Sequence, residues 1–375
     1  MRGFVRVTVC LLSALLVCFL YCPCYAEPED ALEKMQDTLS ELDIPDDTAQ
    51  TLHDLRVDPA DPAGIVSLSP ETVLQKLRQT AAEEAAAPIR LCGTLLALTV
   101  LTALLGGLSD AAADDPLRKI YETVCTLITV TVAAKPVCGC LLRTSEALTS
   151  GQVFMAGYVP VFAAFLAAGG FVAGSSTYQV FVLFLTEAFM QLTNGILFPL
   201  LQMGTAAGIA DAVAPHLKLE RLVSGLRTAV TWLLGTVTAL FSAMLSVRSL
   251  VASAADTLTA RSVRLLASGI PIVGSAVSEA YSTVQGSIRL LRNGTGAVGI
   301  LIIVWLTLPP ILSLLIYRAM FWLMQLFAEL SGAEAAAKLY RNLQAVLSAA
   351  FAMLICDAVM LIVSGGVMIL LTGSQ

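Results

Sequence analysis

The chain has 375 residues, 57% of them hydrophobic and only 13% charged, with a mean hydropathy of +0.80. Soluble globular chains carry about 25% charged residues, so the polar surface is too small to coat a water-soluble body of this size, and lipid must solvate most of it. The net charge of −6 divides into +2 over residues 1–26, −11 over 27–88 and +3 over 89–375, an asymmetry that assigns the two ends of the chain to different compartments or partners.

Arg2 and Arg6 form a basic start, Val7 to Leu20 an apolar core, and Cys24-Tyr25-Ala26 offers small residues at −3 and −1 of a cleavage site. This is the layout of a secretory signal over residues 1–26, with an uncleaved anchor as the alternative. A cut signal places residue 27 onward outside the cytoplasm.

Residues 27–88 form an acidic extracytoplasmic segment. Leu32, Met35, Leu39 and Leu42 make one apolar stripe on a helix that Pro45 ends. After the turn-rich run Asp58 to Pro62, Ser69-Pro70 reads as N-cap and first residue of a second helix that continues to Pro88. Two thin stripes bury little core alone. They fold back on the membrane domain, meet another protein, or stay solvated.

The membrane domain spans 89–375. A crossing needs about 20 apolar residues, which predicts seven spans: 91–109, 120–142, 153–173, 177–203, 228–248, 297–320 and 345–371. The fold class is therefore all-α, a polytopic helical membrane protein of about seven transmembrane helices after a signal peptide. Gly174-Ser175-Ser176 joins the third and fourth spans, either as a loop or as the tip of a re-entrant pair. Seven spans from an outside start put the end inside. The loops then carry equal numbers of Lys and Arg on both sides, so charge alone does not orient the chain.

Ionisable and polar groups inside apolar runs mark a pore, a subunit seam or helix–helix glue. Lys135 precedes Pro136, which should kink or break the second span. Glu187, Gln191 and Asn194 form one polar stripe on the fourth, and Asp357 stands alone in the last. A Lys135–Glu187 or Lys135–Asp357 ion pair is an open option. Asn194-Gly195 before Pro199 is a candidate helix break. Cys138-Gly139-Cys140 lacks the further ligands that Zn²⁺ needs, so no metal and no cofactor are expected. With two distant histidines and no H-E-x-x-H, G-x-S-x-G or P-loop, the chain reads as a non-enzyme.

Residues 257–296 form an amphipathic block. Val263, Leu266, Ile270, Val273, Val277, Ala280, Val284 and Leu291 keep a 3-4 spacing, with Ser287 filling the one gap, and Arg261, Arg264, Glu279, Arg289 and Arg292 fall off that stripe. It reads as one helix, or two bent at Gly269-Ile270-Pro271, lying on a leaflet, in a partner's groove or against its own chain. Gly294 to Gly299 matches G-x-G-x-x-G, but without a preceding strand it is no dinucleotide site. Its glycines predict a tight turn into the sixth span.

The run Ala267-Ser268-Gly269-Ile270-Pro271-Ile272-Val273-Gly274, with Ser278-Glu279-Ala280, Thr283-Val284-Gln285-Gly286-Ser287 and Leu290 to Gly299 after it, resembles the central signature of the stage III sporulation protein AE family. Asp256, Pro271, Gly274, Ser278, Gly286, Asn293, Gly296 and Gly299 carry the likeness, and Arg292 departs from it by standing where Lys is usual. The resemblance implies a multi-pass protein of the mother-cell membrane around the forespore. It implies a permease-like or export-gate component of a channel complex, with ring-forming and ATPase subunits as partners. An independent secondary transporter of a small solute is the alternative.

Overall fold

The computed structural model describes residues 45–54, 70–112, 115–168, 172–213, 221–241, 243 and 274–373. The described residues are almost entirely helical and include no strand. In chain order they form α1 (Asp46–Asp54), α2 (Pro70–Ala112), α3 (Asp115–Ala168), α4 (Val172–Leu192), a π-helical turn (Thr193–Leu197), α5 (Phe198–Val213), α6 (Arg221–Phe241), α7 (Gly274–Leu330) and α8 (Glu334–Gly373). The signal segment, the stripe from Leu32 to Leu42, the proposed bend at 269–271 and Asp256 lie outside the described residues.

Among the described residues six helical stretches are long and apolar enough to cross a membrane, against the seven expected of the sequence. The second and third predicted spans are one helix, α3. The polar run 143–152 has the composition of a loop, but Arg143 pairs with Glu84 of α2 and Gln152 bonds Glu187 of α4, and the backbone stays helical. At about 1.5 Å per residue α3 is about 81 Å long and α7 about 86 Å, nearly three times the ~30 Å of hydrocarbon. The bundle stands well beyond any bilayer that holds it.

Several local expectations change with this. The α3 helix runs unbroken through Pro136 and Pro160, and α2 through Pro88. Gly174 to Ser176 lie inside α4, so they form neither the expected loop nor the tip of a re-entrant pair. Gly294 to Gly299 lie inside α7, so they make no turn into a span. Pro199 is different. It cannot donate to Gly195, and the chain answers with the π-turn, in which Phe198 N–H bonds the carbonyl of Thr193.

Threonines sit in these helices at little cost. Thr99, Thr129, Thr144, Thr205 and Thr307 each donate the hydroxyl to the carbonyl four residues back, at 2.7–2.8 Å, which satisfies them without water. The α7–α8 hairpin is set by Gly332 at φ +73°, with Ala333 N–H on Ala328 O and Gly332 N–H on Glu329 O. This is the Schellman pattern, and only a residue without Cβ takes that φ cheaply.

The core forms where α7 and α8 pack on each other and on α2, α3 and α5. Phe321, Tyr340, Leu347 and Leu354 are buried there. The Tyr340 hydroxyl reaches Thr99 Oγ1 at 2.9 Å, closing a chain to the carbonyl of Leu95. A smaller cluster gathers Phe154, Tyr158 and Phe162 of α3 with Ile302, Ile303 and Trp305 of α7. Leu52 of α1 is 1% exposed in that cluster, and Val73 of α2 packs against it. Part of the acidic segment therefore folds back on the membrane domain. Outward, Leu104, Leu142, Trp232, Trp322 and Leu330 are among the exposed apolar side chains, a surface suited to lipid.

Candidate functional site

The polar groups collect at mid-height, around the middle of α3. Arg143 pairs with Glu84 of α2 at 3.1 Å. Two turns on, Gln152 donates its amide to Glu187 of α4. Gln191 donates to the other Glu187 oxygen at 3.1 Å. On the neighbouring face of α3, a Cβ at Gly151 would lie 3.5 Å from the Asp357 carboxyl of α8 and 3.0 Å from Leu361. Asp357 is 4% exposed, and its Oδ2 has no hydrogen-bond partner among the described residues. A buried acid without a partner is costly in such surroundings, which sets Asp357 apart from the satisfied polar groups around it.

A cleft of about 730 Å³ opens at the same height. Asp54, Lys76, Glu83, Glu84, Arg143 and Glu146 line its polar side, and Trp305, Leu306, Pro309 and Pro310 the other. Pro309 and Pro310 carry no N–H, so the carbonyls of Trp305 and Leu306 lose their helical donors, and those two residues stand in the cleft wall. Lys76 bonds Asp54 at 2.7 Å across the rim and holds the Asp54 carboxyl below its ordinary 3.8, by the hydrogen bond first and by charge second.

The structure brings some predicted site residues together and separates others. Glu187 and Gln191 form one exposed stripe, with Asn194 exposed beyond them in the π-turn. Asp357 is buried with α3 between it and Glu187. Lys135 is exposed and meets neither carboxylate. It lies about 24 Å along α3 from Gly151, so neither ion pair forms. Cys138 is exposed and Cys140 buried, so the two thiols do not share a face. No group of three metal-ligating side chains occurs among the described residues. Of the signature block, Gly274, Ser278, Gly286 and Asn293 fall on α7. Gly296 and Gly299 are buried in it, and Gly299 is pressed against the ring of Tyr158.

Two groups were missed by sequence reasoning. Polarity alone puts Gln152 in a loop, although its place just before the next apolar run would have put it on α3. Asn342 and Asp211 fall just beyond the predicted spans. In the structure both are buried, with Asn342 Nδ2 on Gly208 O at 3.1 Å and on Asp211 Oδ2 at 3.4 Å.

Long apolar helices crossing a bilayer, with polar side chains gathered at one height, define a multi-pass helical membrane protein. The sequence profile described as Stage III sporulation protein AE matches residues 60–372, and the chain belongs to that family. Stage III sporulation protein AE of Bacillus subtilis (strain 168) is 24% identical over 253 residues, which cover 67% of this chain and 63% of the relative. The matched region therefore spans less than two thirds of that relative's length. No solved structure matches.

Proposed function

We propose that the chain is a non-enzymatic membrane subunit of a sporulation channel or secretion-like complex linking mother cell and forespore, and acts there as a permease-like or export-gate component. Its place is the mother-cell membrane around the forespore, its acidic segment outside the cytoplasm, and ring-forming and ATPase subunits are its partners. One observation carries the reading: Glu187, Gln191 and Asn194 face outward from a membrane-spanning helix. Polar groups on the outside of such a helix are costly in lipid and are relieved by a neighbouring protein. A stand-alone transporter would enclose them. It would also need broken helices in both halves, and α3 is continuous at Pro136.

Glu187→Ala should weaken the seam by about 1–2 kcal/mol, roughly five- to thirtyfold in association. The tagged variant should accumulate normally in sporulating cells, co-purify with fewer partner subunits and lower spore yield. Full spore yield with unchanged co-purification would sink the proposal.

A further inference from the structure

Three arginines from three helices converge on a second cleft, about 370 Å³ in volume, far from the mid-height site. Arg227 comes from the second turn of α6, Arg318 from α7 and Arg341 from the second turn of α8. Ser224, Thr228 and Gln344 add hydroxyl and amide groups to the lining. Arg318 is held over the Phe351 ring, 5.8 Å from its centroid. Arg227 and Arg341 are exposed, and none of the three has an ion pair among the described residues. Asp211 stands behind the wall, engaged by Asn342.

Three like charges around one cleft repel one another unless an anion joins them. Guanidinium forks match phosphate oxygens, and the Gln344 amide supplies a further donor, while the Ser224 and Thr228 hydroxyls donate to the carbonyls of Arg221 and Ser224. The shape of the surroundings narrows the anion. An apolar crevice lined by Leu200, Leu201, Gly204, Leu226, Val230 and Val346 adjoins the cleft and shares Val223, Arg227 and Ala345 with it. The crevice encloses only about 10 Å³, room for about one water, so a cationic mouth beside a shallow apolar groove fits a headgroup whose chain lies over the groove and not inside it. Leu222, Trp232 and Trp322 on the same helices are exposed to the lipid side. We propose that this cleft binds an anionic phospholipid, with the phosphate among Arg227, Arg318 and Arg341 and the acyl chains lying outside, over the exposed apolar surface beside the cleft. The proposal does not depend on the channel role.

The test is native mass spectrometry of the full chain in neutral detergent, titrated with phosphatidylglycerol, with phosphatidylcholine, and with phosphatidylglycerol in the presence of inorganic phosphate. Wild type should retain phosphatidylglycerol in preference to phosphatidylcholine. Arg227→Gln with Arg341→Gln should weaken it roughly thirtyfold, at roughly fivefold per arginine near an anionic headgroup. Phosphatidylglycerol should also raise the melting temperature of wild type and not of the double variant. Equal retention of the two lipids in wild type overturns the proposal whether or not the variant folds. So does unchanged binding in a folded double variant. Displacement of the lipid by inorganic phosphate would make this a free-anion site and overturn the lipid assignment.

Discussion

At the scale of single residues, close approach between helices depends on positions that tolerate no side chain. Gly299 of α7 is the sharpest. A Cβ there would fall within the hydroxyl end of the Tyr158 ring, a side chain 3% exposed and stacked on Phe154 at 5.2 Å. The ring has nowhere to move. Gly299→Ala should therefore destabilise the bundle by about 1–3 kcal/mol, the usual penalty of overpacking. Tyr158→Leu should relieve that clash, so the double variant should lose less than the two single losses added. Thermal unfolding of the four proteins in one detergent measures it, and additive losses would show that the contact is not the cause. Gly299 stands out in the sequence through its spacing with Gly294 and Gly296, but its partner does not, because Tyr158 lies 141 positions earlier. The same holds for the mid-height groups. Glu187 and Asp357 are conspicuous against apolar neighbours, whereas Gln152 becomes significant only when α3 lays it beside Glu187.

At the scale of elements, composition revealed helices but misplaced their ends. The charged stretch between Arg143 and Gln152 has the polarity of a loop and the backbone of a helix, since it contains no proline and a single glycine. Partners supplied by α2 and α4 make the difference, and those are tertiary facts. The α1 helix shows the opposite balance. It has nine residues, too few to be stable alone. Burial of Leu52 gives it about 1.5–3 kcal/mol of anchoring, and the Lys76–Asp54 bond adds an ionisable tie. Because Asp54 is held below its ordinary 3.8, that tie is fully present above 3.8 and is lost as pH falls through the lowered value. Amide protection factors across Asp46–Asp54, corrected for the intrinsic pH dependence of exchange, should thus fall on acidification below 3.8. Lys76→Gln should already exchange faster at neutral pH and lose that response. Exchange equally steep in wild type and variant would mean that another carboxylate holds α1. Salt should act in the same direction as acid, because the pair is partly exposed, at 20% and 58%.

At the scale of the whole molecule, merging two predicted spans into α3 changes the parity of the chain. Seven crossings would put α1 and the end of α8 on opposite sides, whereas the six among the described residues put them on the same side. Connectivity gathers the α2–α3 joint, the α5–α6 joint and the α7–α8 hairpin at one end of the bundle. Contacts agree, for Tyr340 meets Thr99 and Asn342 meets Gly208 at that end. The same end carries Arg118 and Lys119, Arg221 and Arg227, and Lys338 and Arg341. The opposite end carries Glu71 at the start of α2 and Arg289 and Arg292 early in α7, while the acidic α1 packs nearer mid-height beside the cleft. A seven-span loop count balances because it credits Arg143 to an outside loop and assigns the later joints to the wrong sides. With α3 as a single crossing, the joints at the α7–α8 end carry Arg118, Lys119, Lys218, Arg221, Arg227, Arg318, Lys338 and Arg341 against Arg248, Arg261, Arg264, Arg289 and Arg292 between α6 and α7, and on that count the positive-inside rule predicts the α7–α8 end on the cytoplasmic side. The arginine cleft then faces the leaflet richest in anionic lipid. A topology reporter inserted after Gly332 should report cytoplasmic, and one fused after Gln375 should report the outer side. Opposite results at both positions would invert the orientation, and matching results would restore an odd number of crossings between α1 and the end of α8.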